Sequence, residues 1–246
     1  MKATGETIDP EEVARFAAQA ASWWDPEGSF RPLHRLNPVR LGFIRDTLAA
    51  HFGRDPRSLS PFEGLSLCDV GCGGGLIAEP MARLGFAVTG IDADEDAIAV
   101  AREHAASSGL AIDYRSETAE SLAGEQRQFD VVLALELIEH VADPTALLTA
   151  CSALVKPGGA FIGATLNRTP QAYALAIIGA EYLMRWLPRG THDWRRFLRP
   201  SEFVLGLKRV GLNPMQLRGL RYRLAGSDWV LSDDLSVNYL VMAVKR

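Results

Sequence analysis

The chain has 246 residues, is 48% hydrophobic and 23% charged, and carries a formal net charge of −4. These values suit a folded protein with a proper core and exclude a low-complexity or disordered chain. No basic surplus is available to neutralise phosphates, which excludes nucleic acid as a general partner.

Asp9-Pro10 opens the first predicted helix, with Asp9 as its cap and Val13, Phe16, Ala17 and Ala20 at helical spacing. It is expected to end near Trp23-Trp24-Asp25-Pro26. A loop over residues 25–36 follows, then a helix from Pro38 to about Phe52. From residue 65 onward strands and helices alternate. Strands are expected at 65–70, 86–91, 111–114, 129–133 and 160–165, and helices at 76–84, 94–107 and 144–154. Short apolar strands bounded by helices predict a parallel sheet covered on both faces. Residues 168–199 read as an insertion with a helix at 172–187 and an arginine-bearing loop. A helix at 200–210, capped by Ser201 or a neighbour, precedes closing strands at 215–222 and 237–244, which give the sheet an antiparallel end. No apolar run reaches the roughly 18 residues of a membrane span, and the acidic N-terminal residues show no signal or transit pattern. The odd set of Cys68, Cys72 and Cys151 matches no zinc spacing and reads as reduced thiols. A cytoplasmic protein is expected, at most touching a membrane.

The strongest motif is Cys68-Asp69-Val70-Gly71-Cys72-Gly73-Gly74-Gly75, between the first strand and the next helix. Glycines serve where the backbone turns at positive φ or where a ligand approaches without a Cβ in the way. A third dinucleotide-fingerprint glycine would fall on position 76, which is leucine. The loop instead resembles motif I of class I methyltransferases, which wraps the amino-acid part of S-adenosylmethionine and whose acid, here Asp69, meets the ligand's ammonium. Asp92 ends the second strand about 20 residues beyond the first glycine, the offset at which a carboxylate accepts both ribose hydroxyls. With Asp94 available as a helix cap, Asp92 is expected to be free for the ribose. Glu117, or the backbone near Thr118, borders the expected adenine site. Leu135 borders the cofactor at the end of the fourth strand.

The run that follows contains Glu136, Glu139 and His140. Read as a helical turn, positions i, i+3 and i+4 share one face. Two readings stay open there: a divalent cation such as Mg2+ held by Glu136, Glu139 and His140, or His140 acting as general base, with Glu139 beside it. Both suit methyl transfer to oxygen, because a phenol with a pKa of about 10 must lose its proton.

Together these segments resemble the ubiquinone-biosynthesis O-methyltransferases over nearly the whole chain. The resemblance is carried by Trp23-Trp24-Asp25, the run from Pro32 to Arg40, the glycine loop, Glu139-His140-Val141, Leu154-Val155-Lys156-Pro157-Gly158-Gly159, Thr165-Leu166-Asn167-Arg168 and Gly190-Thr191-His192-Asp193-Trp194. It implies a Rossmann-like class I fold with a mostly parallel seven-stranded sheet, an antiparallel last strand, N-terminal helices and a helical insertion. Residues 1–60 would form a cap over the cofactor site and 61–246 the methyltransferase domain. The resemblance implies cofactor contacts at Arg40, Gly71, Asp92 and Leu135, to which the motif reading adds Asp69, Gly73 and Glu117. It also implies O-methylation of a 2-polyprenyl-6-hydroxyphenol and of 3-demethylubiquinol, with membrane lipid and a ubiquinone-biosynthesis complex as partners. The insertion would then lie on a bilayer through Tyr173, Leu175, Ile177, Ile178, Tyr182, Leu183, Met184, Trp186 and Leu187, with Arg185, Arg189, Arg195, Arg196 and Arg199 toward anionic head groups. Competing readings are a methyltransferase for another phenol or a carboxylate, a nicotinamide-dependent oxidoreductase and a non-catalytic lipid-bound scaffold.

Overall fold

The computed structural model of the protein describes residues 9–17, 19–175, 193–223 and 228–246. Most of the expected insertion helix, with Ile177, Ile178, Tyr182 to Leu187 and Arg189, lies outside the described residues, as does Gly190-Thr191-His192. The chain opens with α1 (Pro10–Ala17), a short 3-10 turn (Ala20–Ser22) and α2 (Arg31–Phe52). There follow β1 (Ser66–Val70), α3 (Ala78–Arg83), β2 (Ala87–Asp92), α4 (Glu95–Ser107), β3 (Asp113–Ser116), α5 (Ala119–Gly124), β4 (Phe129–Leu135), α6 (Pro144–Leu154) and β5 (Val155–Leu166). The last part holds α7 (Pro170–Ala172), α8 (Pro200–Arg209), β6 (Leu212–Arg223), β7 (Asp228–Ser232) and β8 (Asn238–Lys245).

Among the described residues one sheet runs β3-β2-β1-β4-β5-β8-β6-β7. The first five strands are parallel, and β8 lies antiparallel to both β5 and β6. This is the expected Rossmann-like arrangement with eight strands rather than seven. The extra one is β7, a short, half-exposed edge strand in hairpin with β6. None of its five residues is buried.

Side-chain alternation divides the core between the two faces. Leu67, Val131, Leu133, Ile162 and Leu240 point to the face covered by α2, α3 and α4. Their neighbours Cys68, Val132, Ala134, Phe161 and Val241 point to the face covered by α5, α6 and α8. Phe161, Phe203 and Tyr239 are fully buried on that second face, each worth roughly 1.5–3 kcal/mol of apolar burial. The three cysteines are free and buried, and burial raises each thiol above its usual range, Cys151 to about 12. They stay protonated and serve packing.

One helix start and one helix cap differ from the sequence reading. α2 begins at Arg31, so residues 31–36 are helical rather than loop. Pro32 takes the first-turn place, where a missing N–H is harmless, and Pro38 lies inside the helix. At α8 the N-cap is Arg199 rather than Ser201, and the Glu202 carboxylate accepts the Arg199 N–H at 2.9 Å. Asp94 caps α4 as expected, accepting from Asp96 and Ala97 N–H at 3.0 and 3.2 Å.

Candidate functional site

Three strands deliver acids to the same edge of the sheet. Asp69 is the penultimate residue of β1, Asp92 the last of β2, and Glu136 follows the last of β4. Parallel register pairs Asp69 with Gly90 on one side and Leu133 on the other, so Asp92 stands two residues and Glu136 three residues further toward the carboxyl ends of their strands. Beyond β1 the loop hooks onto β2, where Gly71 and Cys72 N–H donate to Ile91 O at 2.8 and 3.0 Å. Gly71 and Gly73 adopt φ of 72° and 50°, a region costly for any residue with a Cβ.

A cleft opens above this edge. The glycine loop, Asp69 and Asp92 form its floor, Leu135, Glu136 and His140 one wall, Glu117 and Thr118 another, and Trp23, Phe30 and Leu33 its roof. The roof comes from the N-terminal segment. Trp23 stacks on Phe30 with ring centroids 3.7 Å apart, and a Cβ on Gly73 would sit 2.4 Å from the Trp23 ring. The space that the sequence reading reserves for ligand at Gly73 is therefore filled by Trp23. Trp24 Nε1 donates to Gly74 O at 2.9 Å, and its ring stacks on His104, whose Nδ1 lies 2.6 Å from Glu79. Arg196 ties the other end of the segment to Asp9 at 2.8 Å.

Arg40 enters the cleft from α2. It lies on the helix stripe that buries Leu36, Phe43, Ile44 and Leu48, so its guanidinium is only 3% exposed. A buried cation needs partners. Nη1 pairs with the Glu136 carboxylate and Nη2 donates to Asn37 Oδ1, while Nε is buried without a hydrogen-bond partner. Asn37 in turn donates to Leu76 O at 3.3 Å. Asp69 is buried and its Oδ2 is unpartnered. Burial raises its carboxyl to about 7, against the pull of Arg40 and with the push of Asp92. Burial also raises Asp92 and Glu136, with Arg40 opposing at Glu136.

Of the residues singled out in the sequence, Arg40, Asp69, Gly71, Gly73, Asp92, Glu117, Leu135, Glu136 and His140 all line the cleft. Two expectations need correction. Asp92 is not free: Oδ2 accepts Gly73 N–H and Oδ1 accepts Asp94 N–H, both at 2.9 Å. Each oxygen keeps one lone pair, enough for a diol. The Glu136–His140 run is not a helical turn. Glu136 has φ 47°, and the backbone proceeds through bends and turns, so the three side chains do not share a face. Glu139 points beneath the cleft, 3% exposed, with Oε2 accepting the Thr165 hydroxyl at 2.9 Å. Among the described residues no three His, Cys, Asp or Glu side chains are grouped as a metal requires.

A family described as methyltransferase domain matches residues 68–163. Solved structures share the fold. Magnesium protoporphyrin IX methyltransferase from Synechocystis PCC 6803, with bound S-adenosylmethionine, aligns at TM-score 0.62 and 16% identity over 99% of this chain and 100% of that one. The [4+2]-cyclase SpnF aligns at 0.57 and 17% over 82% and 80%. A fold that also hosts a cyclase leaves the chemistry open. Sequence relatives decide it. The ubiquinone biosynthesis O-methyltransferase of Dinoroseobacter shibae is 54% identical over 246 residues, 100% of this chain and 99% of the relative. That of Paramagnetospirillum magneticum is 55% identical over 239 residues, 97% and 96% of the two chains.

The chain belongs to the ubiquinone biosynthesis O-methyltransferase family.

It is accordingly an S-adenosylmethionine-dependent O-methyltransferase, and the cleft of this family member fits that cofactor. A buried, unpartnered carboxylate oxygen on Asp69 and a buried, unpartnered Arg40 Nε complement an ammonium and a carboxylate. Sequence reasoning missed two residues that line the cleft of this O-methyltransferase, Trp23 and Phe30, and one that holds Arg40 behind it, Asn37. Asn37 left a signal, since it is polar beside the buried stripe of α2. Trp23 meets Phe30 and the glycine loop only in the folded chain.

Proposed function

We propose that the protein methylates a phenolic oxygen on polyprenylated rings, namely 2-polyprenyl-6-hydroxyphenol and 3-demethylubiquinol. One observation carries this: the cofactor-side groups Arg40, Asp69 and Asp92 open on the same cleft as His140. When bound, S-adenosylmethionine supplies an electrophilic methyl group on a positively charged sulfur. Asp69 holds the ammonium and Arg40 the carboxylate of its amino-acid part. Asp92 accepts from the ribose, Gly71 and Gly73 shape the loop around it, Glu117 borders the adenine, and Leu135 gives an apolar edge. His140 would take the phenolic proton as that oxygen accepts the methyl group. A Mg2+ ion at Glu136, Glu139 and His140 would require the buried Glu139, which points beneath the cleft, to turn from Thr165. The residues as arranged do not fit it, and proton removal falls to His140.

Residues 1–60 act as the cap of the cofactor site in this reading, and 61–246 as the catalytic domain. The region 168–199 is its lipid-facing part. Tyr173 and Leu175 are exposed there, as are Arg195, Arg196 and Arg199. Among the described residues no helix is long and apolar enough to cross a membrane, so contact is peripheral in this proposal.

The test is methyl transfer from labelled S-adenosylmethionine to a short-tailed demethylubiquinol, with and without chelator. Turnover in both conditions supports the reading. Loss on chelation restores a metal to the site, and no turnover with cofactor binding intact removes this acceptor.

A further inference from the structure

Two acids compete for one buried guanidinium. Arg40 lies within electrostatic reach of Asp69, is in contact with Glu136, and is only 3% exposed. The Glu136 carboxylate is differently placed. It is 22% exposed, lines the cleft, and lies within electrostatic reach of His140 and Glu139. Its backbone is held in the left-handed region at φ 47°, one of two non-glycine residues so placed among those described. Such a conformation is unfavourable for a residue with a Cβ and persists where surrounding structure imposes it. Here the imposing contacts are the Glu136 N–H donating to Ala164 O at 3.0 Å and the ion pair with Arg40. The result aims a carboxylate at the place where a bound cofactor's own carboxylate would seek the same cation.

We infer that Glu136 is a stand-in for the cofactor's carboxylate: it neutralises Arg40 in the empty protein and is displaced from it when the cofactor binds. This rests on the reading that Arg40 receives the cofactor's carboxylate. The exchange leaves the total of buried charge pairs unchanged, because one carboxylate replaces another on the guanidinium. It also releases a negative charge on the wall that carries His140, so the acceptor half of the cleft changes only once the cofactor half is filled. Glu136 is in this sense a positioning residue. It acts on cofactor affinity through Arg40, as an internal competitor that lowers the fraction of binding-competent protein.

A supporting role for Glu136, merely propping Arg40 in place, gives the opposite sign. Calorimetric titration of the full chain with S-adenosylhomocysteine separates the two. Glu136→Gln removes the competing charge and is expected to bind roughly three- to tenfold more tightly than wild type. Glu136→Asp, one methylene short of Arg40, is expected to fall between them and serves if the Gln variant does not fold. With 5′-methylthioadenosine, which has no carboxylate, neither variant gains affinity. Weaker or unchanged binding of S-adenosylhomocysteine by both variants overturns the inference, as does an equal gain with 5′-methylthioadenosine. Arg40→Ala tests the underlying reading separately. If it leaves S-adenosylhomocysteine affinity intact, Arg40 does not hold the carboxylate at all.

Discussion

Asp69→Asn separates the charge of this residue from its shape. Burial raises the carboxyl from 3.8 to about 7. A carboxyl raised on folding leaves stability untouched below its unfolded value, and stability is then lost as pH climbs to the folded value, where the loss levels off. At about 1.36 kcal/mol per unit, the loss between pH 5 and pH 8 is roughly 3 kcal/mol. Asparagine does not titrate. The stability gap between the Asn variant and wild type should therefore widen by that amount in favour of Asn, roughly 5–10 °C in melting temperature for a chain of this length. Melts of the cofactor-free protein at pH 5, 6, 7 and 8 measure it directly. Cofactor affinity should move the other way. Wild type binds S-adenosylhomocysteine more tightly from pH 5 to 7, by at most about tenfold per unit, because only the ionised carboxylate pairs with the ammonium. The Asn variant binds weakly throughout. A gap that stays constant with pH, together with a flat affinity profile in wild type, would show that Asp69 is ionised throughout and that burial does not govern it.

Four further perturbations probe the rest of the site. His140→Ala should lower turnover by about 10²–10⁴ and leave S-adenosylhomocysteine affinity unchanged; equal loss in both would remove it as the base. Asp92→Ala strips the acceptor from the Gly73 and Asp94 N–H groups, so calorimetry should show weaker cofactor binding, and unaltered affinity would take Asp92 out of the ribose contact. Gly73→Ala forces a methyl group into the Trp23 ring at φ 50° and should destabilise by roughly 1–3 kcal/mol. A wild-type melting temperature would mean that Trp23 yields freely. Thr165→Val leaves the buried Glu139 without its hydroxyl donor and should destabilise by about 1–3 kcal/mol in urea titration; no change would place another donor at Glu139.

The alternation of elements was legible because strands buried on both faces read as apolar runs, as at residues 129–133, and because Asp94 and Pro144 mark helix starts with local chemistry. The cleft residues at strand ends followed from the same pattern. The sequence misled where one residue type has two uses. Pro38 reads as a helix start because proline favours the first turn, but Pro32 already fills that role and Pro38 is carried inside α2. The Glu136–His140 spacing suits a helical turn, yet helical spacing means nothing once Glu136 takes a positive φ, and nothing in a glutamate announces that. The roof was hidden for a different reason. Trp23 and Trp24 find their partners some 50 to 80 positions away, at Gly73, Gly74 and His104, and no local periodicity encodes such contacts.

The position of β8 bears on how the protein is made. The last strand of the chain is not at the margin of the sheet; it is slotted between β5 and β6 and hydrogen-bonded to both. During synthesis, β1 to β5 can assemble while the C-terminal residues are still inside the ribosome, but β5 then presents an open ladder edge with buried-type side chains on both faces. Only pairing with β8 closes it. A message truncated before residue 238 would thus yield a protein holding every residue proposed to contact the cofactor and an unpaired strand edge, a species more prone to aggregate than to catalyse.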